Sequence, residues 1–430
     1  MFQPKLPLQV SPDIGIAPPQ RVLDTVTLKL QGQRLQRNLD VLRRYGERID
    51  TDSNGDLIIR GEIVAYLPST AQINKVREQG FLIIREQLLS GLNSTVAVLR
   101  PTGRESAPEG LRRLRKLFAD GVFDLNHLYN DSGEFEARGA PQTPVESRAT
   151  TAGKISGSGE PSAVPRRAHR NIGLIDGGVD GGTDALQKIQ IHRNGCLGRE
   201  IASAHGTAVA SIMVGQMGKF YGAAPGIELY AADIYCGEPT GGSVDAIAGA
   251  FAWMSRQRIP VINVSLVGPA NGVLEQVVRG MIQQGHHIVA AVGNDGPAAP
   301  PLYPAAYPGV IGVTAVDAGL RVLPEASRGP QLLFAAPGAN MVAARTPNGF
   351  TTVRGTSFAA PIVAGLLALL VDEVNPVTAQ QALSRLLSTA FDLGPPGKDP
   401  IYGHGLVGKE VRVDPSQVNL TDMQRSLTLP

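Results

Sequence analysis

Four short segments of this 430-residue chain hold side chains that could act together on a carbonyl group. Ser357 stands in Gly355-Thr356-Ser357-Phe358-Ala359-Ala360-Pro361, at the opening of an apolar stretch through Leu370. A serine in that place is ordinarily a helix N-cap. The same place sets its hydroxyl beside free backbone N–H groups and the positive end of the helix dipole, which a developing oxyanion requires. His205, in Ala204-His205-Gly206-Thr207-Ala208, is either a structural hydrogen-bonding group or a base that titrates near neutrality. Asp176 ends the apolar run Ile172-Gly173-Leu174-Ile175 and is followed by Gly177-Gly178. It reads as a turn residue or as a carboxylate at the functional rim of a sheet. Asn294, in Val292-Gly293-Asn294-Asp295-Gly296-Pro297, would pass as a turn, and it could also aim an amide N–H at an oxyanion.

The elements that must position these groups follow from the texture of residues 169–415. Short apolar runs, such as Val261-Ile262-Asn263-Val264, Ile288 to Val292 and Val310 to Val313, alternate with helical stretches at Thr207 to Val214, Ser243 to Arg256, Val273 to Gln284 and Phe358 to Leu370. Continuously apolar strands separated by helices imply a parallel sheet buried on both faces. In such sheets chemistry gathers at the carboxyl ends of the strands, where all four segments fall.

Taken in the order Asp, His, Asn, Ser, the blocks Ile-Asp-Gly-Gly-Val-Asp, His-Gly-Thr-Ala-Val-Ala, Gly-Asn-Asp-Gly and Gly-Thr-Ser-Phe-Ala-Ala-Pro resemble the signature blocks of the subtilisin-like (S8) serine peptidases. The resemblance covers about residues 170–410. It implies an α/β fold, a subtilisin-like three-layer sandwich with a mostly parallel central sheet, preceded here by a small α/β N-terminal domain. It further implies a catalytic triad of Asp176, His205 and Ser357, with the Asn294 amide and the Ser357 backbone N–H as the oxyanion hole. By the same resemblance, Ser265-Leu266-Val267-Gly268 should pair with an extended substrate, Gly241-Gly242-Ser243 should flank its other side, and Ala291 and Gly293 should help to wall the pocket for the residue on the acyl side of the scissile bond. Those walls are small and uncharged, which favours an apolar side chain there. Tyr303-Pro304 matches a cis-proline turn of the family. Gly177 departs from the family, which usually has a hydroxyl residue there to orient the carboxylate, so another donor must do so. The alternative is a catalytically silent subtilisin fold that binds peptides or acts as a scaffold.

Ahead of this region, residues 1–21 are Pro-rich and read as an extended arm, and 22–130 as a propeptide-like α/β domain. Within it, Val26-Leu28-Leu30 alternates like a strand, Leu39 to Tyr45 is helical, Leu57 to Tyr66 and Thr95 to Leu99 are strands, and Thr70 to Gln79 is a helix. The basic cluster Leu111 to Leu117 spaces its leucines as an amphipathic helix does, so its charges form a wet face. Residues 131–168 carry few large apolar groups and read as a flexible linker with accessible basic bonds at Pro165-Arg166-Arg167; 416–430 are a tail. The order domain, linker, peptidase suggests a zymogen inhibited by its own N-terminal domain and released by cleavage in the linker.

Composition narrows the setting. Hydrophobic residues make up 43% and charged residues 18%, enough for a normal core, and the net charge of +2 gives no argument for nucleic acid. No apolar stretch is long enough to span a membrane. The first residues do not read as a signal peptide, so a periplasmic or secreted location implies a leader removed from this chain. Cys196 and Cys236 could form one bridge or remain separate thiols. The chemistry needs no cofactor. A structural calcium is common in the family, but no ligand set is evident. Asp50 to Asp56 opens like a calcium loop but lacks its closing glutamate, and reads as a polar turn. The partners expected are polypeptide substrates.

Overall fold

The computed structural model describes residues 20–67, 70–89, 91–92, 94–135, 170–413 and 415. The first domain runs α1 (Gln20–Tyr45), β1 (Ile49–Thr51), β2 (Leu57–Leu67), α2 (Thr70–Glu78), β3 (Phe81–Leu89), β4 (Ser94–Pro101), α3 (Ala107–Leu117) and β5 (Val122–Asp131), with a short β6 (Glu134–Phe135) beyond it. The second runs β7 (Asn171–Asp176), β8 (Ile191–Gly195), α4 (Ala204–Val214), a hairpin of β9 (Gln216–Met217) and β10 (Phe220–Tyr221), β11 (Glu228–Asp233), β12 (Gly242–Ser243), α5 (Val244–Arg256), β13 (Val261–Val264), β14 (Leu266–Val267), α6 (Gly272–Gln284), β15 (His287–Ala291), β16 (Ile311–Val316), β17 (Leu332–Pro337), β18 (Met341–Ala344), β19 (Phe350–Arg354), α7 (Thr356–Ala368) and α8 (Pro376–Leu387).

The central sheet has the order β17-β16-β15-β13-β7-β11-β8, and every pairing in it is parallel. Successive strand side chains point to opposite faces. Ile172, Leu174, Val289 and Ala291 accordingly pack under α4 and α7, while Ile175, Ile262, Val264, Ile288 and Ala290 pack against α5 and α6. Helix, sheet and helix make the three-layer α/β sandwich.

The N-terminal sheet is antiparallel, in the order β5-β2-β4-β3, and it obeys the same alternation. Ile63, Ala65, Ala97 and Leu99 face α2 and α3, whereas Val64, Val96 and Val98 face α5 and α6 and join the core of the second domain. The two domains thus share one apolar layer. Burial of each such side chain is worth about 1.5–3 kcal/mol. Polar groups fix the register of the contact. Asn271 caps α6 with its side-chain oxygen and donates through Nδ2 to the Leu125 carbonyl at 2.9 Å. The Asp124 carboxylate accepts from the Gly272 N–H at 2.8 Å, at the positive end of the same helix. Arg85 bridges buried Glu62 and Asp245, and Asn126 donates to both.

Three expectations change. Val26, Leu28 and Leu30 lie in α1, not in a strand. The residues that α1 turns toward the protein, Leu23, Val26, Thr27, Leu30, Arg34, Asn38 and Val41, recur every three to four positions, and Leu28 is 70% exposed. Alternation over three residues was too short a window to separate the two periods. The arm expected over 1–21 already includes the helical Gln20 and Arg21, and residues 1–19 lie outside the described residues. The linker expected from 131 opens with Asp131 in β5 and with β6, whose backbone partners come from the second domain. The rest of that linker, with Pro165-Arg166-Arg167, and the tail 416–430 lie outside the described residues. Of Asp50 to Asp56, the first two residues end β1 and Asp52 to Asp56 form a polar turn, with the Asp52 carboxylate accepting from the Asn54 and Asp56 N–H groups.

Candidate active site

Asp176 is the last residue of β7 and is 1% exposed. Its carboxylate oxygens lie 2.9 and 3.0 Å from His205 Nδ1, and Oδ1 also accepts the Gly177 N–H at 2.6 Å. That N–H is the orienting donor which the missing hydroxyl left open. The glycine is demanded by space: a Cβ on residue 177 would lie 2.5 Å from Ser203 Cβ. Ser203 caps α4, so the carboxylate turn and the start of the histidine helix press directly together.

His205, the second residue of α4, is buried under Phe358, with ring centroids 5.3 Å apart. Burial opposes a charged imidazole, but the Asp176 carboxylate beside it, with help from Asp131, outweighs that and raises the His205 pKa to about 9. Its second nitrogen, Nε2, is buried and has no hydrogen-bond partner among the described residues.

Ser357 is the second residue of α7, a helix opened by Gly355 at φ 133°. Its hydroxyl lies 2.5 Å from Ser132 Oγ and 3.3 Å from the Ser265 carbonyl. Ser265 in turn donates to the Ser357 carbonyl at 3.0 Å. The hydroxyl therefore faces Ser132, in a rotamer in which it makes no hydrogen bond to His205. Asn294 follows β15, and its amide oxygen accepts the Thr356 N–H at 3.2 Å, which leaves Nδ2 as the free end. A Cβ on Gly355 would lie 2.8 Å from that nitrogen and 3.0 Å from the Ser132 carbonyl oxygen, so both crowd one spot at the helix N-terminus.

What fills the cleft is the chain itself. β5 pairs antiparallel with β12, Tyr129 opposite Gly242 and Leu128 opposite Ser243, and with β14, Asn130 opposite Val267 and Asp131 opposite Leu266. Beyond Ser132 and Gly133, β6 pairs with β19. Residues 128–135 thus cross the cleft as one extended segment, with Ser132 against Ser357 and Gly133 against His205 and Phe358. Gly241, at φ 106°, lets the backbone come close: a Cβ there would lie 2.8 Å from the Tyr129 carbonyl oxygen. The fully buried Tyr129 ring sits over Gly268 and donates its hydroxyl to the Pro269 carbonyl at 2.6 Å. Gly293 is covered by Leu302 and Val267, while the Ala291 side chain belongs to the core under α7 rather than to the cleft.

Sequence reasoning missed β5 as a strand, and with it Tyr129, Ser132 and Gly133. The alternation of Phe123, Leu125 and Tyr129 was the available signal. Cys196 and Cys236 are joined by a disulfide beside this rim, and the Tyr303–Pro304 bond is cis. Among the described residues, the one cluster of acid, thiol or imidazole groups close enough to share a metal is Cys196, Asp233 and Cys236. Its sulfurs are bonded to each other, so it does not suit a hard cation such as calcium. No helix among these residues is long and apolar enough to cross a membrane.

The model of the subtilase family matches residues 198–405. Subtilisin DY of Bacillus licheniformis is 32% identical over 258 residues, which are 56% of this chain and 90% of that protein. The minor extracellular protease Epr of Bacillus subtilis (strain 168) is 31% identical over 209 residues, 48% of this chain and 32% of its own length. Among solved structures, fervidolysin from Fervidobacterium pennivorans, a keratinolytic enzyme related to subtilisin, superposes with a TM-score of 0.63 at 18% identity, which speaks for the fold alone. That superposition covers 82% of this chain, and the chain spans 61% of that structure.

Proposed function

Because this chain belongs to the subtilase family, and because its own residues 128–133 lie in the cleft as an extended substrate would, we propose that it is a serine endopeptidase made as a zymogen, with its own Ser132–Gly133 bond as the first substrate. The observation that carries this reading is the run of β5 through the site between β12 and β14. Strand addition of this kind supplies affinity through the main chain and tolerates many sequences, which suits a peptidase and an intramolecular inhibitor alike.

The reaction needs one rotation. Turned from Ser132 and Ser265 toward His205, the Ser357 hydroxyl meets the unpartnered Nε2, which takes its proton as Oγ attacks the Ser132 carbonyl carbon. Asp176, held by the Gly177 N–H, keeps Nδ1 protonated and stabilises the imidazolium. The carbonyl oxygen, now negative, is held by Asn294 Nδ2 and the Ser357 N–H. Collapse breaks the bond to the Gly133 nitrogen, to which His205 returns the proton. Water then hydrolyses the ester on Ser357 by the same route. The product ending in Ser132 remains in the cleft as an inhibitor until the first domain leaves. The disulfide fits an oxidising compartment, in keeping with a periplasmic or secreted peptidase.

The test is to follow the mass of the purified full chain with time. Wild type should yield fragments meeting at Ser132–Gly133, and Ser357→Ala should stay whole. A chain that stays full-length while its Ser357 reacts with a fluorophosphonate would overturn self-processing. A chain that does neither would point to a silent peptide-binding fold.

A further inference from the structure

The leaving side of the scissile bond is crowded in a particular way. A Cβ built on Gly133 would lie 2.5 Å from Phe358 Cε2, 2.8 Å from Phe358 Cζ and 3.0 Å from His205 Nε2. Gly133 is not needed there for its backbone freedom, because its φ lies outside the left-handed region where other residues are strained. It is needed for space. Nor can the obstruction withdraw cheaply. The Phe358 ring is fully buried, it packs against the His205 imidazole at a 50° tilt with centroids 5.3 Å apart, and it follows Ser357 directly on α7. Moving it away from a Cβ means moving it into the core or into the base.

We propose that this cleft selects glycine on the leaving side of the bond it cuts, and that Phe358 imposes the selection. This rests on the endopeptidase reading above and names its substrate class: peptides with glycine after the scissile bond, as in the chain's own Ser132-Gly133. The methyl group of an alanine after the scissile bond would overpack the base and the ring in the arrangement the reaction needs, so it should lower kcat/KM by about tenfold or more. Phe358 would then be a specificity-determining residue, not part of the proton relay.

The experiment compares two peptides, Leu-Tyr-Asn-Asp-Ser-Gly-Glu-Phe and its variant with alanine for glycine, as substrates of the self-processed full chain, together with Gly133→Ala in the full chain itself. The expected result is at least tenfold faster cleavage of the glycine peptide and a correspondingly slowed self-processing of Gly133→Ala. Phe358→Ala, if it still takes a fluorophosphonate label, should narrow the gap between the peptides. Equal rates for the two peptides would overturn the selectivity while leaving the peptidase reading intact. A chain that neither processes itself nor cuts either peptide would overturn both. A tenfold gap unchanged in a labelled Phe358→Ala would remove Phe358 as its cause. The peptide pair needs no variant to fold, so an insoluble Phe358→Ala does not stop the test.

Discussion

At the scale of single residues, the site consists of groups whose partners are already set. The Asn294 amide oxygen is tied to Thr356 N–H, so its nitrogen is the end available for the oxyanion of the proposed reaction. Replacing Asn294 with alanine should lower kcat by about 10²–10³-fold with little change in KM, the cost known for one oxyanion donor in subtilisin; steady-state kinetics on a peptide substrate check it. His205 gives a pH prediction with a definite sign. Its carboxylate neighbours hold its pKa up at about 9, and a base must be neutral to accept a proton, so self-cleavage should accelerate as pH rises through that region. Asp131 contributes to the shift. Asp131→Asn should lower the His205 pKa and move the pH profile of self-cleavage to lower pH, which a series of processing time courses would read. Coincident profiles would show that Asp176 alone sets the value.

At the scale of elements, α1 is the part that sequence periodicity misassigned in its first half, and it lies over the cleft. Arg34 pairs with Asp295, next to Asn294, at 2.5 Å and with Asp56 at 3.5 Å, and Thr27 Oγ1 accepts the Ala298 N–H at 3.0 Å. With β5 it encloses a cleft of about 500 Å³ that also reaches Ser132 and Asn294. The Arg34–Asp295 pair is largely shielded from water, and losing it leaves a carboxylate without its cation, a cost on the order of 1–3 kcal/mol. Arg34→Ala should therefore speed release of the cleaved first domain by about fivefold or more, measured as the lag between chain cleavage and the onset of activity on an added peptide. No change in that lag would mean that β5 alone holds the domain.

At the scale of the molecule, the second domain is a closed sandwich, and the first adds a further sheet and helix layer against α5 and α6. The 40-residue separation closed by Cys196–Cys236 corresponds to about 4 kcal/mol of chain entropy. Changing both to serine should lower stability by an amount of that order, read as a lower denaturation midpoint of Ser357→Ala chains, in which processing cannot confuse the result. An unchanged midpoint would show that loops at this rim add nothing to global stability.

Much of this protein was legible in one dimension because the information was local. Buried parallel strands read as unbroken apolar runs, and the glycines around Asp176, His205 and Ser357 mark places where backbones touch, as the clash of a Cβ at residue 177 with Ser203 makes plain. Residue types and their order were enough for the fold class and for the four candidate groups. The tertiary structure alone decided the rest. Residues 131–135 resembled the start of a linker because their strand partners, Leu266, Val353 and Arg354, lie more than a hundred positions away. The bridging of the cysteines depended on a distance that spacing does not encode. The crowding of Gly133 by Phe358 and His205 exists only where three separate segments meet. Periodicity and motif report what a segment does with its neighbours in the chain. Which backbone lies in the cleft, and what it may carry there, is set by contacts between segments, which no window of sequence contains.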